Sequence, residues 1–210
     1  MKRWDPKGID FRWREHAGGS FVAQTSHFHL IVFGGPVTPG ARYVVLSRQL
    51  HGAAAVRGYG TAFGCGAAMR AAEEMAARLL SERRRRLVIV VVDDDAEACG
   101  AIADTLRDEG YAAIESSCGE GALRRLERIS RPVLLVTDID LSGEIEGFEL
   151  AATVRSLWPA TRILFIGSDR PPERLPPGEE FLATPFSAAR LLERISDLAA
   201  DIPSEKLLVH

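Results

Sequence analysis

The stretch LVIVVVDDDAEA, residues 87–98, decides how the rest of the chain is read. Six apolar residues, five of them β-branched, stop abruptly at three aspartates. An apolar run that short and unbroken is a strand buried on both faces, the mark of a parallel sheet covered by helices on each side. Four more such runs follow: YAAI (111–114), VLLV (133–136), ILFI (163–166) and FLA (181–183). Between them apolar residues recur at helical spacing: Ala98, Ile102 and Leu106; Ala122, Leu126 and Ile129; Phe148, Ala151 and Val154; Leu191, Ile195 and Leu198. Strand and helix alternate. Right-handed crossovers then predict an α/β fold, a five-stranded doubly wound parallel sheet whose sites lie beyond the carboxyl ends of its strands.

The first part of the chain has a different rhythm. FRWRE (11–15), FVAQTS (21–26), HFHLIVF (27–33), RYVVLS (42–47) and GAAAVRGYG (52–60) read as strands, followed by one helix over about 67–84. A small N-terminal α+β domain of antiparallel strands is expected over 1–86, with the second domain over 87–199 and a tail over 200–210. Charge supports the division. Residues 1–86 carry 14 Lys and Arg against 6 Asp and Glu, a formal +8, whereas residues 87–210 carry 12 against 23, a formal −11. No apolar run approaches a membrane span, and MKRWDPKGID lacks the apolar middle of a secretory leader, so a cytoplasmic chain without membrane contact is expected. Cys65, Cys99 and Cys118 are odd in number and lack metal-type spacing, which argues for small core or surface residues.

The aspartates fall where such a fold keeps its site. Asp93, Asp94 and Asp95 follow the first run of the second domain, and Asp138 follows the third. Carboxylates brought that close repel unless protons or a cation intervene. Mg²⁺ suits an all-oxygen set and needs only one or two carboxylates.

VVVDDDAEA, LLVTDIDLSGEIEGFEL and FLATPFSAARLLERI, in this order and spacing, resemble the receiver domain of two-component response regulators over about 87–199. The resemblance implies that Asp138 accepts a phosphoryl group from a histidine kinase or phosphotransfer protein, and that a downstream protein partner reads the result. It also implies Mg²⁺ held by Asp94, Asp138 and the backbone carbonyl of Asp140, with Asp93 acting through water. No enzyme activity beyond self-phosphorylation of the aspartate is implied.

Four positions depart from the family. Receivers carry a lysine where ATPF places Thr184. A unit charge at ~4 Å and an effective dielectric of ~20 is worth about 4 kcal/mol, and a hydroxyl does not replace it. Arg170 is a candidate substitute, with a solvated loop residue as the plainer reading. ILFIGSD puts Gly167 at the switch Thr/Ser position and Ser168 one residue later, and the aromatic switch position holds Phe181, which lacks a phenol. DRPPERLPPGEE (169–180) stands where a fourth helix belongs, and its prolines permit only a short turn. The connection from Asp138 to Gly147 is one residue longer than the commonest receiver loop.

Other readings compete. A phosphorylation-independent pseudo-receiver acting as an interaction module is the alternative that Thr184 and Gly167 favour. DIDLS also resembles the Asp-x-Asp-x-Thr/Val signature of haloacid-dehalogenase-type phosphatases, although the order of parts differs. GYGTAFGCGAAM (58–69) has a G-x-G that resembles a dinucleotide loop, but no parallel strand with a terminal acid follows, and a turn and helix start is the favoured reading. His27 and His29 share a strand face without a third metal ligand. RRRR (83–86) suits the end of a helix, solvated at a junction, and with the +8 half it offers nucleic acid a basic surface, a partner that is not favoured.

Overall fold

The structure is a computed structural model. It describes residues 11–16, 19–25, 27–34, 40–47, 56–129, 133–168, 175–200 and 202. The chain forms two compact units, Met1–Glu82 and Arg83–His210.

The first unit is an antiparallel meander in the order β1 (Arg14–His16), β2 (Ser20–Gln24), β3 (Phe28–Phe33), β4 (Ala41–Ser47), β5 (Val56–Ala62), followed by helix α1 (Gly64–Arg86). Strand β3 alternates as its period dictates, burying Phe28, Leu30 and Val32. Ala68, Ala72 and Ala76 repeat every fourth residue on the buried face of α1, and small side chains there let the helix close on the sheet. The Trp13 indole N–H donates to Glu73 Oε1 at 2.7 Å. FRWRE turns Phe11 and Trp13 inward and leaves Arg12 and Arg14 exposed, although the strand itself begins only at Arg14. In the glycine-rich motif Gly58 and Gly60 lie on β5, where a Cβ at Gly60 would come 2.6 Å from the Tyr43 hydroxyl. The helix starts at Gly64 as expected and the sheet is antiparallel, so the motif is not a dinucleotide loop, but Gly58 and Gly60 belong to the strand and make no turn.

The second unit runs β6 (Val88–Val92), α2 (Ala96–Asp108), β7 (Ala112–Ser116), α3 (Gly119–Leu126), β8 (Val133–Asp138), α4 (Gly147–Leu157), β9 (Arg162–Gly167), β10 (Glu179–Ala183), α5 (Ala188–Ala200). All five strands are parallel, in the order β10-β9-β8-β6-β7. Ile89 and Val91 face α2 and α5, packing with Ile102, Leu106, Leu191 and Ile195. Val90 and Val92 face α3 and α4, packing with Leu126, Leu150 and Val154. This two-sided burial is why the strand sequences carry no polar alternation. Order reverses between β6 and β8, which makes the tips of these two strands the topological switch point.

Two expectations need correction. Phe148 does not join the α4 core face: it is 40% exposed, with its ring 4.9 Å from Phe165, and Leu150 takes the buried place. The RRRR cluster is not uniformly solvated. Arg83 donates to the carbonyls of Ala199 and Ile202 at the end of α5, and Arg84 pairs with Glu109 (2.7 Å) and lies over the Tyr111 ring. Both are held because carbonyls at a helix end lack intrahelical donors and a guanidinium can supply them. As the prolines led us to expect, residues 175–178 form a turn and no helix between β9 and β10; Arg170 and the rest of 169–174 lie outside the described residues. No helix among those described is long and apolar enough to cross a membrane.

Candidate functional site

At the switch point β6 delivers Asp93 and Asp94, and β8 delivers Asp138 as its last residue. One carboxylate oxygen from each lies within 4.8 Å of the others. Adjacent parallel strands in register, with Val92 opposite Thr137, bring together residues more than forty positions apart. Asp95 is the exception among the acids: it caps α2, accepting the Glu97 and Ala98 N–H groups.

The three carboxylates have different surroundings. Asp93 is buried, and burial pushes its pKa up; the neighbouring carboxylates add to this, while the Asp95 N–H (2.9 Å) opposes it. Burial likewise raises Asp138, offset by the N–H groups of Ile139 (2.7 Å) and Asp140. Asp94 is exposed and its pKa is lowered, first by the Ser142 hydroxyl and then by the Ser142 N–H, which donates at 3.2 Å. Two strained carboxylates and one stabilised carboxylate, all offering oxygen, match the donor set a hard divalent cation takes. The residues present therefore fit Mg²⁺.

The loop from Asp138 to α4 is held at three points. Thr137, fully buried, donates its hydroxyl to the Asp138 carbonyl (2.9 Å); Gly147 N–H donates to Ile139 (3.1 Å); and Glu120 accepts the Glu144 N–H (3.1 Å). Asp140 is exposed and its carboxylate stands outside the gathered group, which removes the paired arrangement a haloacid-dehalogenase-type site requires. Ser142 escaped the sequence reading, its only signal being a hydroxyl residue in the loop after the acidic pair.

The remaining switch positions lie on the neighbouring strands. Gly167 ends β9, is buried, and its carbonyl accepts the Thr184 N–H at 2.9 Å. A Cβ on Gly167 would sit 3.2 Å from Ile139 Cδ1 and 3.6 Å from the Phe181 ring, so Ile139 fills space a switch hydroxyl would need. Ser168 and Thr184 are exposed, and Phe181 is half-buried against the α3/α4 side of the sheet. His27 and His29 belong to no group of three ligating side chains among the described residues.

An open parallel sheet of this strand order with acids at its switch point defines a receiver-type α/β protein. The family model for the response regulator receiver domain matches residues 89–196. The chain belongs to that family, whose members serve signal transduction, and residues 1–88 lie outside the match. Similar solved structures include the receiver domain of the hybrid histidine kinase CckA, at 27% identity over 53% of this chain and 98% of that one, TM-score 0.48. Others are a response regulator receiver protein from Sinorhizobium medicae, at 26% over 56% and 97%, TM-score 0.49, and the chemotaxis response regulator CheY4 of Vibrio cholerae, at 24% over 53% and 98%, TM-score 0.48. Comparison with curated proteins gave no match.

Proposed function

We propose that the protein is an atypical cytoplasmic response regulator whose receiver, residues 87–199, accepts a phosphoryl group on Asp138 and transmits the signal by protein contact. The observation that carries this reading is the gathering of Asp93, Asp94 and Asp138 at the tips of β6 and β8. Asp94, Asp138 and the backbone carbonyl of Asp140 would hold Mg²⁺, with Asp93 acting through water. Bound there, the ion would neutralise charge on the transferring group.

The chain's own contribution is to aim one carboxylate. The Ile139 and Asp140 N–H groups fix the Asp138 side chain, leaving it partly exposed to a donor. A carboxylate oxygen of Asp138 attacks the phosphorus of a phosphohistidine as the P–N bond breaks; an acyl phosphate forms and the departing imidazole takes up a proton. Residues 1–86 form a separate α+β domain in this proposal, and 200–210 a tail.

A second reading, a phosphorylation-independent interaction module, is favoured by Thr184 and Gly167, which supply neither the ammonium nor the hydroxyl that couples phosphate to the rest of a receiver. One experiment separates the two. The protein is incubated with Mg²⁺ and a small phosphodonor and the intact chain is weighed, with Asp138→Asn as control. One added phosphoryl mass on the wild type alone supports the phosphoacceptor; no added mass leaves the interaction module.

A further inference from the structure

Away from the acidic site, a cavity of about 450 Å³ is lined by Ile114, Gly121, Arg124, Arg125, Arg128 and Ile129. Ile114 comes from β7, the edge strand of the sheet. The arginines come from the later part of α3 and the turn behind it, where the chain heads back toward the amino ends of the strands. Asp93, Asp94 and Asp138 occupy the opposite, carboxyl ends, so the two sites are distinct.

The charges of this cavity run against those of its surroundings. Residues 87–210 hold 12 basic and 23 acidic side chains, and several other arginines of the unit pair with acids. Arg84, Arg107, Arg155, Arg190 and Arg194 each pair with a carboxylate. Arg125 and Arg128 make no salt bridge or side-chain hydrogen bond among the described residues, Arg124 stands near Glu120 without forming a salt bridge, and no acid lines the cavity. Glu120, one turn before Arg124, accepts the Glu144 N–H (3.1 Å). Helix-end polarity accounts for basic residues in the last turn of α3. It does not account for three arginines lining one hollow with two isoleucines in its wall.

We propose that this cavity binds a nucleoside polyphosphate. Guanidinium forks match phosphate oxygens, and their planes, with Ile114 and Ile129, offer flat apolar surface to a base. The volume lies within the range of small-ligand pockets. The phosphate could belong to a free nucleotide or to a nucleic-acid strand; a hollow of this volume with Ile114 and Ile129 in its wall favours the free nucleotide.

Calorimetric titration in EDTA keeps the acidic site free of metal and tests the cavity with three probes: ADP, inorganic pyrophosphate and a short oligothymidylate. ADP should bind the full chain one to one, more tightly than pyrophosphate. Replacing all three arginines (R124Q/R125Q/R128Q) should weaken ADP by roughly a hundredfold, since charge-assisted bonds to phosphate are the strong ones. Ile114→Ser should weaken ADP and leave pyrophosphate unchanged. Asp138→Asn and Arg85→Gln should alter neither, which separates this site from the phosphoacceptor. The proposal is overturned by absence of ADP binding, by ADP binding that survives the triple substitution, or by pyrophosphate binding as tightly as ADP. Oligothymidylate binding that ADP does not displace would also overturn it, marking a strand-tracking surface instead.

Discussion

The space a side chain would need at position 147 is already taken by the backbone carbonyl of Asp138. Gly147 opens α4 at the point where its N–H donates to Ile139, so the first turn of the helix is pressed against the backbone that presents the candidate phosphoacceptor. Gly147→Ala should therefore move both. Overpacking of this kind costs about 1–3 kcal/mol, and here the obstacle is main chain that cannot rotate away. Urea unfolding should show that loss, and Mg²⁺ titration followed by amide shifts of Ile139 and Asp140 should show weakened binding. Wild-type stability in the variant would mean that the close approach is not real.

The acidic cluster sets a pH dependence whose sign follows from its surroundings. Burial raises Asp93 and Asp138 above the ordinary carboxylate value, so the folded protein holds these protons more tightly than the unfolded chain. Their stabilising contribution is fully present below the unfolded pKa and is lost as pH rises through the raised folded values. Asp94, lowered by Ser142, works in the opposite sense, contributing above the unfolded pKa and losing that as pH falls. At neutral pH without metal, Asp138→Asn should stabilise the protein, because it removes a carboxylate whose charged form burial disfavours. The gain should shrink toward acid pH and reverse in millimolar Mg²⁺. Chemical unfolding of both proteins across the carboxylate range checks all three statements.

Much of this site was legible because parallel strands announce themselves. Short, unbroken apolar runs placed Asp93, Asp94 and Asp138 at strand tips, and strand adjacency then made them neighbours. What stayed hidden depends on contacts that periodicity does not encode. Ser142 reaches Asp94 from a loop 48 positions away. Ile139 fills the space beside Gly167, a matter of side-chain direction at a turn. Phe148 carries the right spacing for a core face yet leans on the ring of Phe165 from a partly exposed position, because Leu150 already occupies the interior. RRRR looked like a solvated run since charge runs usually are, and only the end of α5 reveals where Arg83 goes.

Those arginines carry a stability prediction. Arg83 satisfies carbonyls at the end of α5, while Arg84 bonds Glu109 and covers Tyr111 at 5.4 Å from the ring centroid. Arg85 and Arg86 are exposed. Arg83→Ala and Arg84→Ala should each cost about 1 kcal/mol, the net worth of a charge-assisted bond or a partly desolvated cation over an aromatic ring. Arg85→Ala should lie within about 0.5 kcal/mol of wild type. Thermal unfolding of the three full-length variants separates these outcomes, and equal effects at all three positions would show that the run acts only through its total charge.

Thr184 is the place where the phosphoacceptor reading is most exposed to test. Its N–H ties the end of β10 to Gly167 on β9, so the position is fixed one strand beyond the strand next to Asp138, and its short, exposed side chain brings no charge. A lysine at this tip has the length and solvent access to bring an ammonium toward an anion on Asp138, with no buried neighbour to displace. In water the benefit of such a charge falls well below its value at lower dielectric, and about tenfold in phosphorylation rate, or 1.4 kcal/mol, is the expected scale. Thr184→Lys should accelerate labelling of Asp138 by a small phosphodonor by that factor, whereas Thr184→Met, similar in length but uncharged, should not. Because the substitution touches only an exposed side chain, unfolding midpoints of all three proteins should coincide. Equal labelling rates for the lysine and methionine variants would place position 184 out of reach of the transferred group.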